Sequence, residues 1–395
     1  MKIGIFTDVY FPQINGVVTS VMTLQEELIR RGHEVTVITV RLPGHKKSSD
    51  GIIRLKSVPF SKWKEFRLAM PFFVSAYSQI KALNLDIIHT HTEFSVGLLG
   101  RYMAHVLNIP LVHTYHTMYE DYTHYILDYK HAKKMVRRLI IRGSKSYVKP
   151  ATAIIAPSEK TKLALQSYGI HNQIHVMPTG INLEQFHTHP CETPAVMAIR
   201  ERYNIAEDTN ILLSLGRVSE EKSINMIIEQ MPTILSIVPN TVLLIVGDGP
   251  YRAKLESLVH KLKLEESVIF TGRVPFDTVS YYYSLCDVFI SASKTETQGL
   301  TIIEAMASNK PVVVYDDDNV KGIIKHNYSG MLFTNHLGLS DGVISILTSK
   351  EKANFLSDNG TLAIKNLSTE KFGDTAEMIY EDLIQYMYMY KYHVI

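Results

Sequence analysis

Apolar positions along the chain fall into short runs, separated by longer stretches in which they recur every three or four residues. This is the alternation of buried strands with amphipathic helices. Lys2 to Phe6 reads as a buried strand, Thr7 to Gly16 as a loop, Val17 to Arg31 as a helix and Val35 to Val40 as the next strand. Asp86 to His89, running into Thr90 and His91, and Ile109 to Thr117 predict strands on either side of a helix. Ala151 to Ala156 reads as the last strand of the first half, with Pro157 and Ser158 capping the helix after it. The βα pattern restarts at Asn210 to Leu215 and continues through Val242 to Val246 and the strand and loop of Phe270 to Pro275. The aromatic tail from Met378 to Tyr392 predicts a closing helix.

The most informative stretch is Ser291 to Tyr315, with a strand before it at Asp287 to Ile290, a helix from about Leu300 to Ser308 and another strand at Pro311 to Val314. Two apolar runs joined through a helix imply parallel pairing, and ligands of open α/β sheets bind outside the carboxyl ends of such strands. Glu296 sits in that loop and Glu304 one turn inside the helix, so both can face one ligand. Gly299, Leu300 and Thr301 supply backbone N–H groups at the helix start, where phosphate is attracted. Carboxylates accept from hydroxyls and amides hold phosphate, and a sugar nucleotide presents both. Read without a ligand, Glu304 is a favourable first-turn charge and Glu296 a solvated loop residue.

Other residues carry similar alternatives. Gly216 to Ser223 approaches the P-loop spacing, but Glu221 stands where the second glycine is required. Arg217 and Lys222 at that strand end suit a diphosphate clamp that works without metal, or a surface ion-pair site. Asn15-Gly16 brings backbone close to a cleft or simply makes a turn. Gly247-Asp-Gly249 has Arg252 where a dinucleotide fingerprint needs its third glycine. His89, His91, His113 and His116 cluster at strand ends, yet no cysteine or helix-spaced histidine pair completes a familiar zinc site. Asp316-Asp-Asp318 reads as a solvated loop, and no metal site is expected.

Glu296 and Glu304, in the setting Glu-Thr-Gln-Gly-Leu-Thr-x-x-Glu-Ala, resemble the signature of family 4 retaining glycosyltransferases. The resemblance covers nearly the whole chain and implies an α/β architecture of two facing Rossmann-like domains, the GT-B type. It implies that Glu296 contacts the transferred sugar, Glu304 the ribose, and His116 the anomeric centre and sugar hydroxyls. It places donor binding on Gly16, Arg217, Lys222, Val274, Gly299, Leu300, Thr301 and Glu304. The aromatic, acidic loop Met118 to Tyr125 resembles that of family members that glucosylate diacylglycerol in bacteria. The implied activity is metal-independent α-glucosyl transfer from UDP-glucose to 1,2-diacylglycerol, with retention and no cofactor. The alternatives are another sugar nucleotide such as UDP-galactose or GDP-mannose, another lipid or a soluble acceptor, or a binding module without activity.

Length and charge refine this picture. At 395 residues two domains are expected, with residues 1–180 facing acceptor and membrane, 181–375 binding nucleotide sugar, and 376–395 returning to the first domain. Two cysteines, Cys191 and Cys286, give no disulfide framework and fit a reducing cytosol, and no signal peptide or membrane-spanning run is seen. Residues 1–180 carry 23 Lys and Arg against 12 Asp and Glu, a balance of +11, while the remainder carries 18 against 27, or −9. An anionic membrane is the expected partner of the basic half; no nucleic-acid motif accompanies the charge. Lys130, Lys133, Lys134, Arg137, Arg138 and Arg142, interleaved with aliphatics, predict an amphipathic helix lying on the cytosolic face of the cell membrane as a peripheral anchor. Phe60 to Arg67 adds the single tryptophan among cations.

Overall fold

The computed structural model describes residues 1–13, 15–44, 48–60, 63–70, 74–116, 130–186 and 193–393. The loop Met118 to Tyr125 and Cys191 lie outside them. The chain forms two compact units, one of Met1–Gly180 with Thr369–Ile395, the other of Ile181–Ser368.

The first unit is built in chain order from β1 (Lys2–Phe6), α1 (Gly16–Arg30), β2 (Glu34–Val40), β3 (Ser48–Ser49), β4 (Ile52–Leu55), β5 (Ser57–Phe60) and β6 (Trp63–Ala69). It continues through α2 (Val74–Lys81), β7 (Ile87–Thr90), α3 (Ser95–Leu107), β8 (Leu111–Thr114), α4 (Lys130–Val148), β9 (Ala153–Ala156), α5 (Glu159–Ser167) and β10 (Gln173–Val176). Its sheet runs β10-β9-β8-β7-β1-β2-β4-β3, parallel except for the short β3, while β5 and β6 form a separate antiparallel hairpin. The strands alternate with helices, so both sheet faces are covered and central strands read as continuous apolar runs. Ile3, Ile5 and Phe6 of β1 are fully buried. β10 was not expected: its Gln173 and His175 interrupt the apolar run, because as the outermost strand, paired only with β9, it needs no second buried flank.

The second unit contains α6 (Pro194–Arg202), β11 (Asn210–Leu215), α7 (Ile224–Ile237), β12 (Thr241–Val246), α8 (Arg252–Leu262), β13 (Val268–Gly272) and α9 (Val279–Leu285). It is completed by β14 (Val288–Ser291), α10 (Leu300–Ala307), β15 (Val312–Tyr315), α11 (Asp318–Lys321), β16 (Met331–Phe333), α12 (His336–Leu347) and α13 (Lys350–Ala363). Its sheet is wholly parallel in the order β13-β12-β11-β14-β15-β16. The order reverses between β11 and β14 there, and between β1 and β7 in the first unit. Each sheet therefore has a switch point where a crevice opens beyond the strand ends.

The last helix, α14 (Thr369–His393), belongs to the first unit, so the returning segment starts at Thr369 rather than at 376. Phe372, Ala376, Ile379, Tyr380 and Leu383 give it an apolar stripe that joins Ile3, Ile5, Leu24 and Leu28 in one cluster. Arg31 fastens it: its guanidinium donates to Glu27 at 2.7 Å, to Glu377 at 3.0 Å and to the Glu370 carbonyl at 2.8 Å, and lies 2.8 Å from Asp374. Burial opposes the charge on Arg31, but the three carboxylates outweigh it and raise its pKa. Arg31→Ala is expected to lower the unfolding free energy by about 2 kcal/mol, the scale of losing charge-assisted bonds in a half-buried network. Urea unfolding measures this, and an unchanged midpoint would contradict the fastening role.

Candidate functional site

The second unit's site is assembled by close backbone approach. Gly216 and Gly247 end β11 and β12 with φ of 142° and 132°. A Cβ on Gly247 would lie 1.8 Å from the Gly216 carbonyl oxygen, and one on Gly249 would lie 2.2 Å from that of Val218. The glycines of Gly247-Asp-Gly249 are thus needed by chain packing rather than by a dinucleotide. The contact is locked by Val218 N–H donating to the Asp248 carbonyl at 3.1 Å and Tyr251 N–H to the Val218 carbonyl at 3.1 Å. What it holds is the loop that carries Arg217 and Lys222.

Beside that loop a cavity opens at the switch point. It is lined by Ser214 to Arg217, Lys222 and Ile224 from the β11 side, and by Ile290 to Ala292, Glu296 and Thr301 from the β14 side. Lys222 Nζ donates to Glu296 Oε1 at 2.6 Å, and Asn319 Nδ2 donates to the Glu296 carbonyl. Desolvation alone would raise the Glu296 pKa, but the Lys222 ammonium outweighs it and holds the carboxyl below its usual range. Glu296 therefore stays ionised and adds stability that disappears as pH falls through that lowered value. Arg217 is exposed at the rim.

Glu304 is held differently. It lies on α10, buried, with Oε2 accepting from Tyr283 Oη at 2.6 Å; the same hydroxyl is 3.1 Å from the Thr301 carbonyl. Burial raises its pKa to about 7, the Tyr283 bond only partly offsetting this. Its ionisation thus costs folded-state stability as pH rises from the usual carboxylate range towards 7. Glu304 is not among the cavity's lining residues. α10 starts from Gly299 at φ 77°, an N-cap residue that offers no side chain, and Leu300 and Thr301 are the first helical residues. Leu300 and Val274 turn partly buried side chains onto the apolar cluster around Tyr283.

The first unit brings four histidines together at its own switch point. His89 Nδ1 is 2.6 Å from Tyr380 Oη and its Nε2 is 2.7 Å from Thr114 Oγ1. His113 Nδ1 is 2.9 Å from Thr90 Oγ1, and His91 Nδ1 is 2.9 Å from His116 Nε2. Burial, with the neighbouring imidazoles adding to it, pulls His116 down to about 3 and His89 and His91 well below their usual value, so all three are neutral. Asp8 beside them is buried and serves α3: it accepts from Ser95 Oγ at 2.5 Å, Thr92 Oγ1 at 2.6 Å and Val96 N–H at 2.9 Å. Gly16 is the first residue of α1, whose cap is the Asn15 side chain accepting from Val18 N–H at 3.0 Å.

Among the described residues no group of three or more His, Cys, Asp or Glu is arranged to hold a metal ion. Asp317 caps α11, and Lys321 lies 3.4 Å from both Asp316 and Asp318. Cys286 is a buried free thiol. No helix among the described residues is long and apolar enough to cross a membrane. The basic run forms α4, but the expected segregation of cations from aliphatics differs in the described part. Met135 and Leu139 are exposed together with Arg137, Arg138 and Arg142, whereas Tyr147 and Val148 are buried in the unit's core. The side chains of Lys130, Lys133 and Lys134 lie outside the described residues.

Sequence reasoning missed Tyr283 and Asn319, and it found His91 in the strand-end cluster without its bond to His116. Tyr283 is 21 residues from its carboxylate on a different helix, and nothing local marks it among Tyr281, Tyr282 and Tyr283. Only the parallel order of β11, β14 and β15 brings α9 and α10 side by side.

Two doubly wound sheets, one with a cation and carboxylate crevice at its switch point, define the class of GT-B glycosyltransferases. The chain belongs to glycosyltransferase family 4: residues 14–185 match the model "Glycosyltransferase Family 4" and residues 196–362 match "Glycosyl transferases group 1". It is 37% identical to the Alpha-monoglucosyldiacylglycerol synthase of Streptococcus pneumoniae, over 97% of this chain and 86% of that one. It is 35% identical to the protein of the same name from Acholeplasma laidlawii, over 97% and 98%. HepE of Anabaena, solved with UDP and glucose, shares the fold with a TM-score of 0.77 at 17% identity, over 97% of this chain and all of that one.

Lys222→Met is expected to strand the Glu296 charge and to lower stability by about 1–3 kcal/mol, less than for a fully buried pair because Lys222 is 31% exposed. Lys222→Met with Glu296→Gln should recover most of that loss in chemical denaturation. Equal stabilities of the single and double variants would contradict the pairing.

Proposed function

We propose that this chain transfers a glucosyl group from UDP-glucose to 1,2-diacylglycerol with retention, yielding α-monoglucosyldiacylglycerol and UDP. The observation that carries this reading is the Lys222–Glu296 pair in the switch-point cavity with Arg217 at its rim, in a chain over a third identical to two synthases of that product. Arg217 and Lys222 balance the diphosphate charge as it leaves, work that needs no metal. Glu296, ionised and partnered, accepts hydroxyl hydrogen bonds from the sugar. Glu304 accepts from the ribose, and the α10 N-terminus at Gly299, Leu300 and Thr301 faces phosphate. Gly16 and Val274 approach the donor through backbone. His116 is neutral and serves as a hydrogen-bonding group at the sugar rather than as a cation.

The transfer runs by front-side displacement. The bond from the anomeric carbon to the acceptor oxygen forms on the face from which the phosphate oxygen departs, and the acceptor proton passes to the leaving diphosphate. Glu296 is a sugar-binding group, not a nucleophile, so the two-carboxylate geometry of glycosidases is not required. The acceptor lies in the cytosolic leaflet of an anionic membrane, which the +11 balance of residues 1–180 and the exposed Arg137, Arg138, Met135 and Leu139 of α4 suit.

Incubating the protein with UDP-glucose, UDP-galactose or GDP-mannose and diacylglycerol in anionic vesicles, with lipid products read by mass and anomeric coupling, tests the proposal. An α-hexosyl lipid from UDP-glucose is expected. Product from another donor only, or none from any, would overturn it.

The raised pKa of Glu304 adds a pH dependence. A carboxylate accepts ribose hydroxyls better than its acid, so UDP affinity should rise about tenfold between pH 6 and 8 as the group at about 7 ionises. Calorimetric titration checks this, and Glu304→Gln should flatten the profile.

A further inference from the structure

His116 has two ring nitrogens, and one of them is taken. Nε2 lies 2.9 Å from His91 Nδ1, with the two ring planes inclined by 24° and 5.1 Å between centroids, as for rings that meet through their edges. A ligand at His116 therefore meets Nδ1. Whether that nitrogen donates or accepts follows from which ring owns the single proton in the Nδ1···Nε2 contact, since the hydrogen bond at one nitrogen of an imidazole sets the state of the other.

His91 decides the matter by its burial. The residue is 2% exposed, and among the described residues its buried Nε2 has no hydrogen-bond partner. If His116 supplied the proton, a neutral His91 would carry its own on Nε2, a buried N–H with no acceptor. If His91 supplies it from Nδ1, Nε2 is left as a bare acceptor, and under-satisfied buried acceptors are the commoner compromise in folded proteins. The His91 ring is held for this role by its neighbours. His89 and His91, two positions apart, lie on one side of the sheet, their centroids 4.1 Å apart. His89 in turn is bonded at both nitrogens, to Tyr380 on α14 and to Thr114 on β8.

We propose that His91 is a positioning residue that donates from Nδ1 to His116 Nε2 and so fixes His116 as the Nδ1–H tautomer, a neutral hydrogen-bond donor towards oxygens of the transferred sugar. The last clause rests on the sugar-site reading of His116; the tautomer itself does not. No bond is made or broken by this arrangement. Its consequence is selectivity for an oxygen acceptor at that place in the site, where the other tautomer would demand a donor.

The test combines spectroscopy with a conservative rescue. In protein labelled with ¹⁵N-histidine, with the His116 signals assigned by their loss in His116→Gln, Nδ1 is expected at the protonated shift and Nε2 at the lone-pair shift. His91→Leu should abolish that fixed state and lower kcat about tenfold, equivalent to about 1.4 kcal/mol for one hydrogen bond, with little change in the KM for UDP-glucose. His91→Asn, whose amide N–H replaces Nδ1–H, should restore both the tautomer and most of kcat. An Nε2–H tautomer of His116 in the wild-type protein would overturn the inference, and this holds even if His91→Leu fails to fold. An unchanged tautomer in a folded His91→Leu would overturn it equally. Unchanged transfer in His116→Ala is a different failure: it removes His116 from the sugar site, while the wild-type spectrum still decides the His91 bond.

Discussion

The ion pair between Lys222 and Glu296 is the interaction on which the second unit's crevice depends. A carboxylate held away from water at the end of β14 is costly unless a cation meets it, and Lys222 meets it at 2.6 Å from across the switch point. For Lys222 to be there, the loop after β11 must fold back tightly, and it does so by resting on the turn after β12 where only glycine fits at 247 and 249. The strand order, the glycines and the pair are thus one arrangement. It leaves a site with a fixed positive edge and an acceptor-only anion, suited to a ligand that combines phosphate with hydroxyls.

Two carboxylates eight positions apart in the chain are kept in opposite electrostatic states. Glu296 is partnered by an ammonium and remains charged; Glu304 is partnered by a neutral phenol and titrates near neutrality. The first unit reverses the logic, since its histidines are crowded together in a buried cluster and none of the three whose pKa is depressed carries charge. Hydrogen bonding rather than charge is what those rings contribute.

Much of this was legible in the sequence because the chemistry lies at strand ends, and strand ends are where a short apolar run stops. Glu296, Glu304, Arg217, Lys222 and the four histidines all stand out on that basis. The alternation of strands and helices was equally plain. What could not be read is anything fixed by contact between distant segments. Tyr283 reaches Glu304 from a neighbouring helix, Asp8 caps α3 from the end of β1, and Arg31 binds a helix more than three hundred positions away. The close approach of Gly216 to Gly247 showed in the sequence only as an incomplete dinucleotide fingerprint, broken at Arg252, with nothing to say that the glycines meet each other. β10 escaped notice because an edge strand does not need the apolar pattern that marks a central one. The basic helix α4 was visible, but which of its described residues are exposed, as Met135, Arg137, Arg138 and Leu139 are, and which are buried, as Tyr147 and Val148 are, depends on what it packs against.

The central claim is that the crevice divides its work, Lys222 holding phosphate and Glu296 holding sugar. Calorimetric titration of UDP and UDP-glucose into wild type, Lys222→Met and Glu296→Gln measures that division directly. The account predicts that Lys222→Met weakens both ligands, whereas Glu296→Gln weakens UDP-glucose and leaves UDP bound as before. Wild-type affinity of both variants for both ligands would contradict it.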